Sequence, residues 1–166
     1  SDQNKQDDNS FIHLTPENYF IGHESGIENN NGIYNSFLGY QSGRFNVDGS
    51  NNAFFGYKSG YSNTTGNSNL FLGVESGYSN IVGSFNTFLG VEAGKSNTSG
   101  INNSFVGSYA GTSNTIGSNN AFIGYSAGYS NLNGIGNSFI GNFSGYSNSS
   151  GNFNSFLGYS SGYSNT

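Results

Sequence analysis

Two histidines, a handful of carboxylates and a recurring tyrosine are the side chains of this sequence whose types could do chemistry. His13 and His23 are the only histidines. A general acid or base built on either would need a nucleophile or a second titratable group within hydrogen-bond reach, and no such partner motif accompanies them. His23 beside Glu24 comes nearest to a metal-ligand pair, but a structural zinc takes four ligands and no ligand spacing repeats. Glu75 and Glu92 read as solvated faces, and the chain lacks the glycine- and aspartate-rich nonapeptide of calcium-binding β-rolls. The Asn-x-Ser/Thr matches at Asn63 and Asn97 are expected by chance in a chain so rich in these residues. The expectation is a protein that is not an enzyme and that holds no metal and no cofactor.

Tyrosine offers more. Tyr61, Tyr78, Tyr129, Tyr146 and Tyr163 occupy one position of a repeating unit, with Arg44, Lys95 and Thr112 at the same position of other copies. Exposed, this column would present flat rings flanked by Ser and Asn donors, a chemistry suited to stacking on sugars or to contact with protein surfaces. A ladder of tyrosines that only stabilises neighbouring copies is the competing reading. Repetition would give avidity even if each site were weak.

The elements that must carry these rings are read from the repeat itself. Phenylalanine stands at Phe20, Phe37, Phe54, Phe71, Phe88, Phe105, Phe122, Phe139 and Phe156, always seventeen residues apart and without insertion. With the unit numbered from its leading asparagine (Asn18, Asn35, Asn52), phenylalanine is position three, a large apolar residue is position four, and glycine fills positions five, nine and fifteen. A second asparagine column runs through position twelve, and the tyrosines are position ten. Seventeen residues are too few for a propeller blade or a helical hairpin, and three glycines per copy make a poor helix. One copy fits one rung of a parallel β-solenoid, each rung in register with the next at about 4.8 Å, so that nine rungs make a rod about 43 Å long. The glycines mark corners, and the asparagine columns predict amide ladders.

Positions three and four are neighbours on a strand and so face opposite sides of the sheet. One column fills the lumen, and the other lies outside as an unbroken apolar ridge that something must cover. Phe37, Phe54, Phe71, Phe88, Phe105, Phe122, Phe139 and Phe156, with Leu38, Leu72, Leu89, Ile123 and Ile140, are the expected core and interface residues. Self-association through the ridge about an axis parallel to the rod keeps every rung in an equivalent contact, and a homotrimer is expected.

Composition bounds the partners. Net charge is −5 and only 8% of the 166 residues are charged, with no charged side chain between residues 101 and 166. No basic stripe exists to follow a phosphate backbone, which argues against nucleic acid. The absence of cysteine leaves the redox compartment open. No apolar run approaches the roughly 18 residues that would suggest direct membrane insertion. Residues 1–17 lack the repeat and are polar enough to be partly disordered, although "FIHL" at 11–14 suits a short strand that closes the first rung. The repeat domain is 18–166, its ninth unit incomplete.

The Asn-Ser-Phe-Leu-Gly unit, at residues 35–39 and again at 154–158, resembles the Asn-Ser-Val-Ala-Ile-Gly unit of YadA-like heads in trimeric autotransporter adhesins. Here the period is longer, the unit is one residue shorter before its glycine, and Phe replaces Val. Asn-Thr-Phe-Leu-Gly, as at residues 86–90, also resembles the stalks of phage tail-fibre-like and other trimeric surface fibres. The resemblance implies a left-handed parallel β-roll with three chains about one axis. It implies a non-enzymatic fibre head or shaft that adheres to a host, prey or matrix surface through glycans or extracellular proteins. The location implied is the cell surface, anchored in an outer membrane through regions not present, or a virion fibre. Two other readings stand beside it: an ice-binding solenoid, for which the column Val47, Thr64, Ile81, Thr98, Thr115, Leu132 and Ser149 is a poor threonine array, and a purely structural spacer.

Overall fold

The computed structural model describes residues 11–165, which form an all-β structure with no helix. The first strand, β1 (Ile12–Leu14), is followed by β2 (Asn18–Ile21), β3 (Asn35–Leu38), β4 (Ala53–Phe55), β5 (Leu70–Leu72), β6 (Thr87–Leu89), β7 (Ser104–Val106), β8 (Ala121–Ile123), β9 (Ser138–Ile140) and β10 (Ser155–Leu157). All ten lie in one sheet in sequence order. From β2 to β10 every pairing is parallel and pairs identical positions of successive units, Phe20 with Phe37, Phe54 with Phe71 and Phe122 with Phe139. The protein is therefore a parallel β-solenoid with a seventeen-residue turn, eight turns complete and a ninth begun.

Each turn holds only one strand, of three or four residues. The rest of the rung is turn, yet hydrogen bonding between rungs continues around it: Gly26 N–H donates to Ser42 O at 3.0 Å, Asn30 N–H to Val47 O at 2.8 Å and Gln41 N–H to His23 O at 2.8 Å. This satisfies backbone groups that a short strand alone would leave unpaired. Some of the turns need left-handed backbone at residues other than glycine. Sixteen non-glycine residues have positive φ, and they fall in two columns, position seven (Glu24, Gln41, Lys58 and their successors) and position seventeen (Tyr34, Asn51, Ser68 and theirs).

The lumen has an aromatic half and an amide half. Phe20 to Phe139 are at most 1% exposed, and each ring stacks on the next with centroids 4.7–4.9 Å apart. Position nine must be glycine because a Cβ on Gly94 would stand 2.5 Å from the Phe88 ring. The two asparagine columns are also buried but bond differently. Position twelve forms an amide ladder, with Asn46 Nδ2 donating to Asn29 Oδ1 at 2.8 Å and Asn63 Nδ2 donating to Asn46 Oδ1 at 2.6 Å. Position one instead accepts from the backbone of its copy, Asn35 N–H to Asn18 Oδ1 at 2.9 Å. Both columns converge on one acceptor, since Asn18 and Asn29 each donate to Gly32 O at 2.9 Å. That junction fixes position fifteen as glycine, where a Cβ would meet Gly49 O at 2.3 Å.

Position four points outward: Leu38 and Leu72 are 49% exposed, Ile123 and Ile140 about 40%, and Leu89 is half-buried. At the N-terminal end β1 runs antiparallel to β2 and places His13 opposite Phe20, rings stacked at 5.8 Å, so that the aromatic column ends under an imidazole. Residues 1–10, part of the segment expected to be partly disordered, lie outside the described residues.

Candidate binding face

Position ten stands two residues beyond the buried Ser/Ala of position eight, and the in-register rungs bring its tyrosines ring to ring. Tyr61 and Tyr78 stack at 4.9 Å and 3°. Tyr129, Tyr146 and Tyr163 form a second stack at 5.1 and 4.9 Å. Four of the five are half-buried and Tyr163 is 43% exposed, so each ring is held by its neighbours and keeps an edge in solvent. The rings form ladders, and each ladder keeps an accessible edge.

Position seven borders this column and changes character along the rod. In the first five rungs it holds Glu24, Gln41, Lys58, Glu75 and Glu92. Arg44 pairs with Glu24, and Lys95 reaches Glu75 at 2.7 Å and Glu92 at 3.3 Å. Hydrogen bonding to Glu75, opposed by partial burial, holds the Lys95 ammonium above its ordinary value. Lys58 sits 5.3 Å from both the Tyr57 and the Tyr61 rings. In the last four rungs position seven is Tyr109, Ser126, Phe143 and Ser160, none of them charged. One face of the rod is therefore ionic at its N-terminal half and aromatic at its C-terminal half.

The aromatic half contains a notch. Tyr109 and Phe143 flank Ser126 at the same position of adjacent rungs, and Ser126 is buried beneath the Tyr125 ring that stands between them. The notch has a volume of about 300 Å³ and is lined by Tyr109, Tyr125, Ser126, Tyr129, Phe143 and Tyr146. Tyr125 fills the interval between the two rings, meeting Tyr109 edge-on at 5.7 Å and Phe143 edge-on at 5.3 Å. The Ser126 hydroxyl and the four tyrosine hydroxyls make no hydrogen bond to the described residues. Desolvation against its neighbours, reinforced by the phenols of Tyr129, Tyr163 and Tyr125, raises the Tyr146 pKa. It remains a hydrogen-bond donor throughout the neutral range.

Sequence reasoning singled out Tyr129 and Tyr146 but missed Tyr109, Ser126 and Phe143, because position seven has no consensus. The available signal was the alternation of ring, small residue and ring at that position. A second hollow, about 520 Å³, lies where Phe45 interrupts the serine column, beside Val47, Thr64 and Ile81. It is largely apolar, and its Thr64 hydroxyl is already committed to Ile81 O at 2.9 Å. Among the described residues no three His, Asp or Glu side chains gather in a way that would hold a metal ion, and no helix is long and apolar enough to cross a membrane. No family model, curated protein or solved structure matches the chain.

Proposed function

We propose that this chain is the head or shaft of an extracellular, non-enzymatic fibre, in which three copies pack through the position-four ridge and present the tyrosine faces to a host, prey or matrix surface. The observation that carries the reading is the ridge. Nine consecutive rungs place Ile, Leu, Phe or Val at an outward position, and the Leu38 and Leu72 side chains are half in water although each belongs to a strand. Tyr40, Tyr57, Val74, Val91 and Tyr125, each 38–46% exposed, widen it. A single chain leaves this strip uncovered along the whole rod, and monomeric proteins rarely expose apolar patches of such extent. A rotation axis parallel to the rod covers every rung equally, whereas any tilted contact covers only a few. The left-handed winding and the surface location follow from the resemblance to trimeric adhesin heads and tail fibres, and the uncharged aromatic face supplies the adhesive chemistry.

The spacer reading shares the rod and the ridge but gives the tyrosine face no task. Ice binding has less support: the hydroxyls of Thr64, Thr98 and Thr115 donate to carbonyls of the next rung at 2.9–3.0 Å, and Ile81 and Leu132 interrupt their column. The test is solution mass by light scattering over a dilution series. A mass of three chains that persists on dilution supports the fibre. A clean monomer at all concentrations removes it and leaves the ridge without a partner of its own kind.

A further inference from the structure

Position eleven is the most uniform of the outward positions that carry a side chain. Ser62, Ser79, Ser96, Ser113, Ser130, Ser147 and Ser164 fill it in seven consecutive rungs, while the others change from rung to rung. The fold does not ask for this residue. Glu28 and Phe45 hold the same position in the first two rungs, and the backbone bonds alike in both cases, Phe45 N–H donating to Tyr61 O at 3.0 Å and Ser113 N–H to Tyr129 O at 3.1 Å. Nor is the hydroxyl used within the chain: from Ser62 to Ser147 none of these hydroxyls has a hydrogen-bond partner among the described residues. Position eight shows the opposite. There the Ser42 hydroxyl donates to Phe54 O at 2.9 Å, yet Ala93, Ala110 and Ala127 replace serine in later rungs. A hydroxyl with an internal task is dispensable and one without any is kept, which puts the requirement for it outside the chain.

Across the buried asparagines of position twelve, position thirteen offers hydrocarbon to the same groove. Val47, Ile81 and Leu132 are apolar, and Thr64, Thr98 and Thr115 commit their hydroxyls to carbonyls of the next rung at 2.9–3.0 Å, which leaves their methyl groups as the outward surface. The hollow of about 520 Å³ at Phe45 lies between the two columns, with Phe45 and Ser62 on one side and Val47, Thr64 and Ile81 on the other. We propose that this groove holds a linear neutral polysaccharide laid along the rod, one sugar to a rung, with one hydroxyl edge on the serine row, its C–H groups on the hydrocarbon rail and one ring against Phe45. The assignment deepens the adhesive reading above and rests on it, and it uses no residue of the ridge. An extended chain of equatorially linked pyranoses carries both a hydroxyl edge and an apolar C–H face. Each of its sugars advances by nearly one rung, so the contacts recur in step about every 4.8 Å. An extended polypeptide presents like side chains only about every 6.6 Å and falls out of register within two rungs. No charged side chain follows Glu28 at position eleven, and none occurs at position thirteen. The cations beside the groove are spent, Arg44 on Glu24 and Lys95 on Glu75 and Glu92, so a chain of uronic acids finds no counter-charge.

The test uses the whole chain and soluble probes: cello- and chito-oligosaccharides from disaccharide to hexasaccharide, the bent α-linked maltohexaose, oligogalacturonate and poly-L-proline. Binding is read by saturation-transfer NMR and isothermal titration. Ser113→Phe places in mid-row a residue that the same position already carries at Phe45. Ser130→Ala combined with Ser147→Ala removes hydroxyls and leaves the groove open; circular dichroism checks that both variants keep the solenoid. We expect affinity to rise with chain length in at least one of the two neutral series, and its hexasaccharide to bind each variant about tenfold more weakly. That hexasaccharide should also be preferred over maltohexaose, oligogalacturonate and poly-L-proline. Affinity independent of length, a preference for any of those three probes, binding untouched by either variant, or no binding of either hexasaccharide would each overturn the assignment. In parallel, beads coated with wild-type or Ser113→Phe chain are tested for attachment to glycosylated and deglycosylated cell surfaces. Equal attachment by both chains overturns the groove but keeps the adhesive reading. Oligosaccharide binding in solution without attachment of any bead overturns the adhesive reading but keeps the groove.

Discussion

Replacing Phe88 by Ala and, separately, Gly94 by Ala sets up a cycle whose coupling the structure fixes in sign. Phe88 is fully buried and stacked on Phe71 and Phe105 at 4.8 Å on either side. Truncation leaves a ring-sized hole in a column with no side chain free to fill it, and should destabilise by about 3–5 kcal/mol. Gly94 has φ 58°, and a Cβ there meets the Phe88 ring at 2.5 Å. Gly94→Ala should therefore cost about 1–2 kcal/mol for the left-handed backbone and a further 1–3 kcal/mol or so for forcing the ring aside. In the double variant the ring is gone, so the second contribution vanishes. The combined loss should fall short of the sum of the two single losses by about 1–3 kcal/mol. The assay is urea unfolding followed by far-UV circular dichroism at one fixed chain concentration, since association would otherwise shift the midpoint. Additive losses would refute the packing described, as would a Phe88→Ala variant that unfolds within about 1 kcal/mol of the wild type.

Three further outcomes are expected. Asn80→Asp replaces a buried amide that donates to Asn63 Oδ1 at 2.7 Å and Gly83 O at 2.9 Å. Its carboxylate, desolvated and facing those oxygens, should have a raised folded-state pKa, so the variant should be closest to wild type below about pH 4 and lose stability as pH rises; unfolding midpoints from pH 3 upward check this. The Tyr146 pKa is raised from 10.0, so its contribution is fully present below pH 10.0 and is lost as pH rises through the higher folded value. Absorbance titration of the wild type against Tyr146→Phe should remove a late-ionising phenol rather than an early one. Leu72 is 49% exposed, so Leu72→Lys should leave the circular dichroism spectrum unchanged and reduce the solution mass from three chains to one, whereas an unaltered mass would place the interface elsewhere.

The parallel in-register stack was legible because Phe, Gly and Asn recur without a single insertion, which leaves identical positions no choice but to pair. The alternation of inside and outside at positions three and four was equally readable, though not which of the two was inside; that is settled by the glycine at position nine, which makes room for a ring and not for a leucine branch on the other side of the strand. The turns were not legible. Glu24, Lys58, Tyr109 and Phe143 share a left-handed backbone that none of these residue types signals, because the conformation is imposed by rung-to-rung hydrogen bonds such as Lys58 N–H to Tyr40 O at 2.9 Å and not by local preference. For the same reason the notch escaped the sequence: it is made by neighbours seventeen residues apart at a position without a consensus. The amide columns were anticipated as one kind of ladder and proved to be two, because Asn18 Oδ1 accepts the backbone N–H of Asn35 where Asn29 Oδ1 accepts the side-chain amide of Asn46.

The hydrogen bonds and ring contacts that hold a rung reach only to the rungs directly above and below it, as the pairs Asn63 with Asn80, Phe54 with Phe71 and Lys95 with Glu75 illustrate. A gene encoding such a chain can duplicate or delete one whole unit by recombination between its near-identical tracts, and every surviving rung still meets the neighbours it was shaped for. A shift of any other length puts a side chain where Gly94 or Gly83 tolerates none. Rod length, and with it the number of tyrosine-bearing rungs, is thus free to vary in unit steps while the cross-section stays fixed.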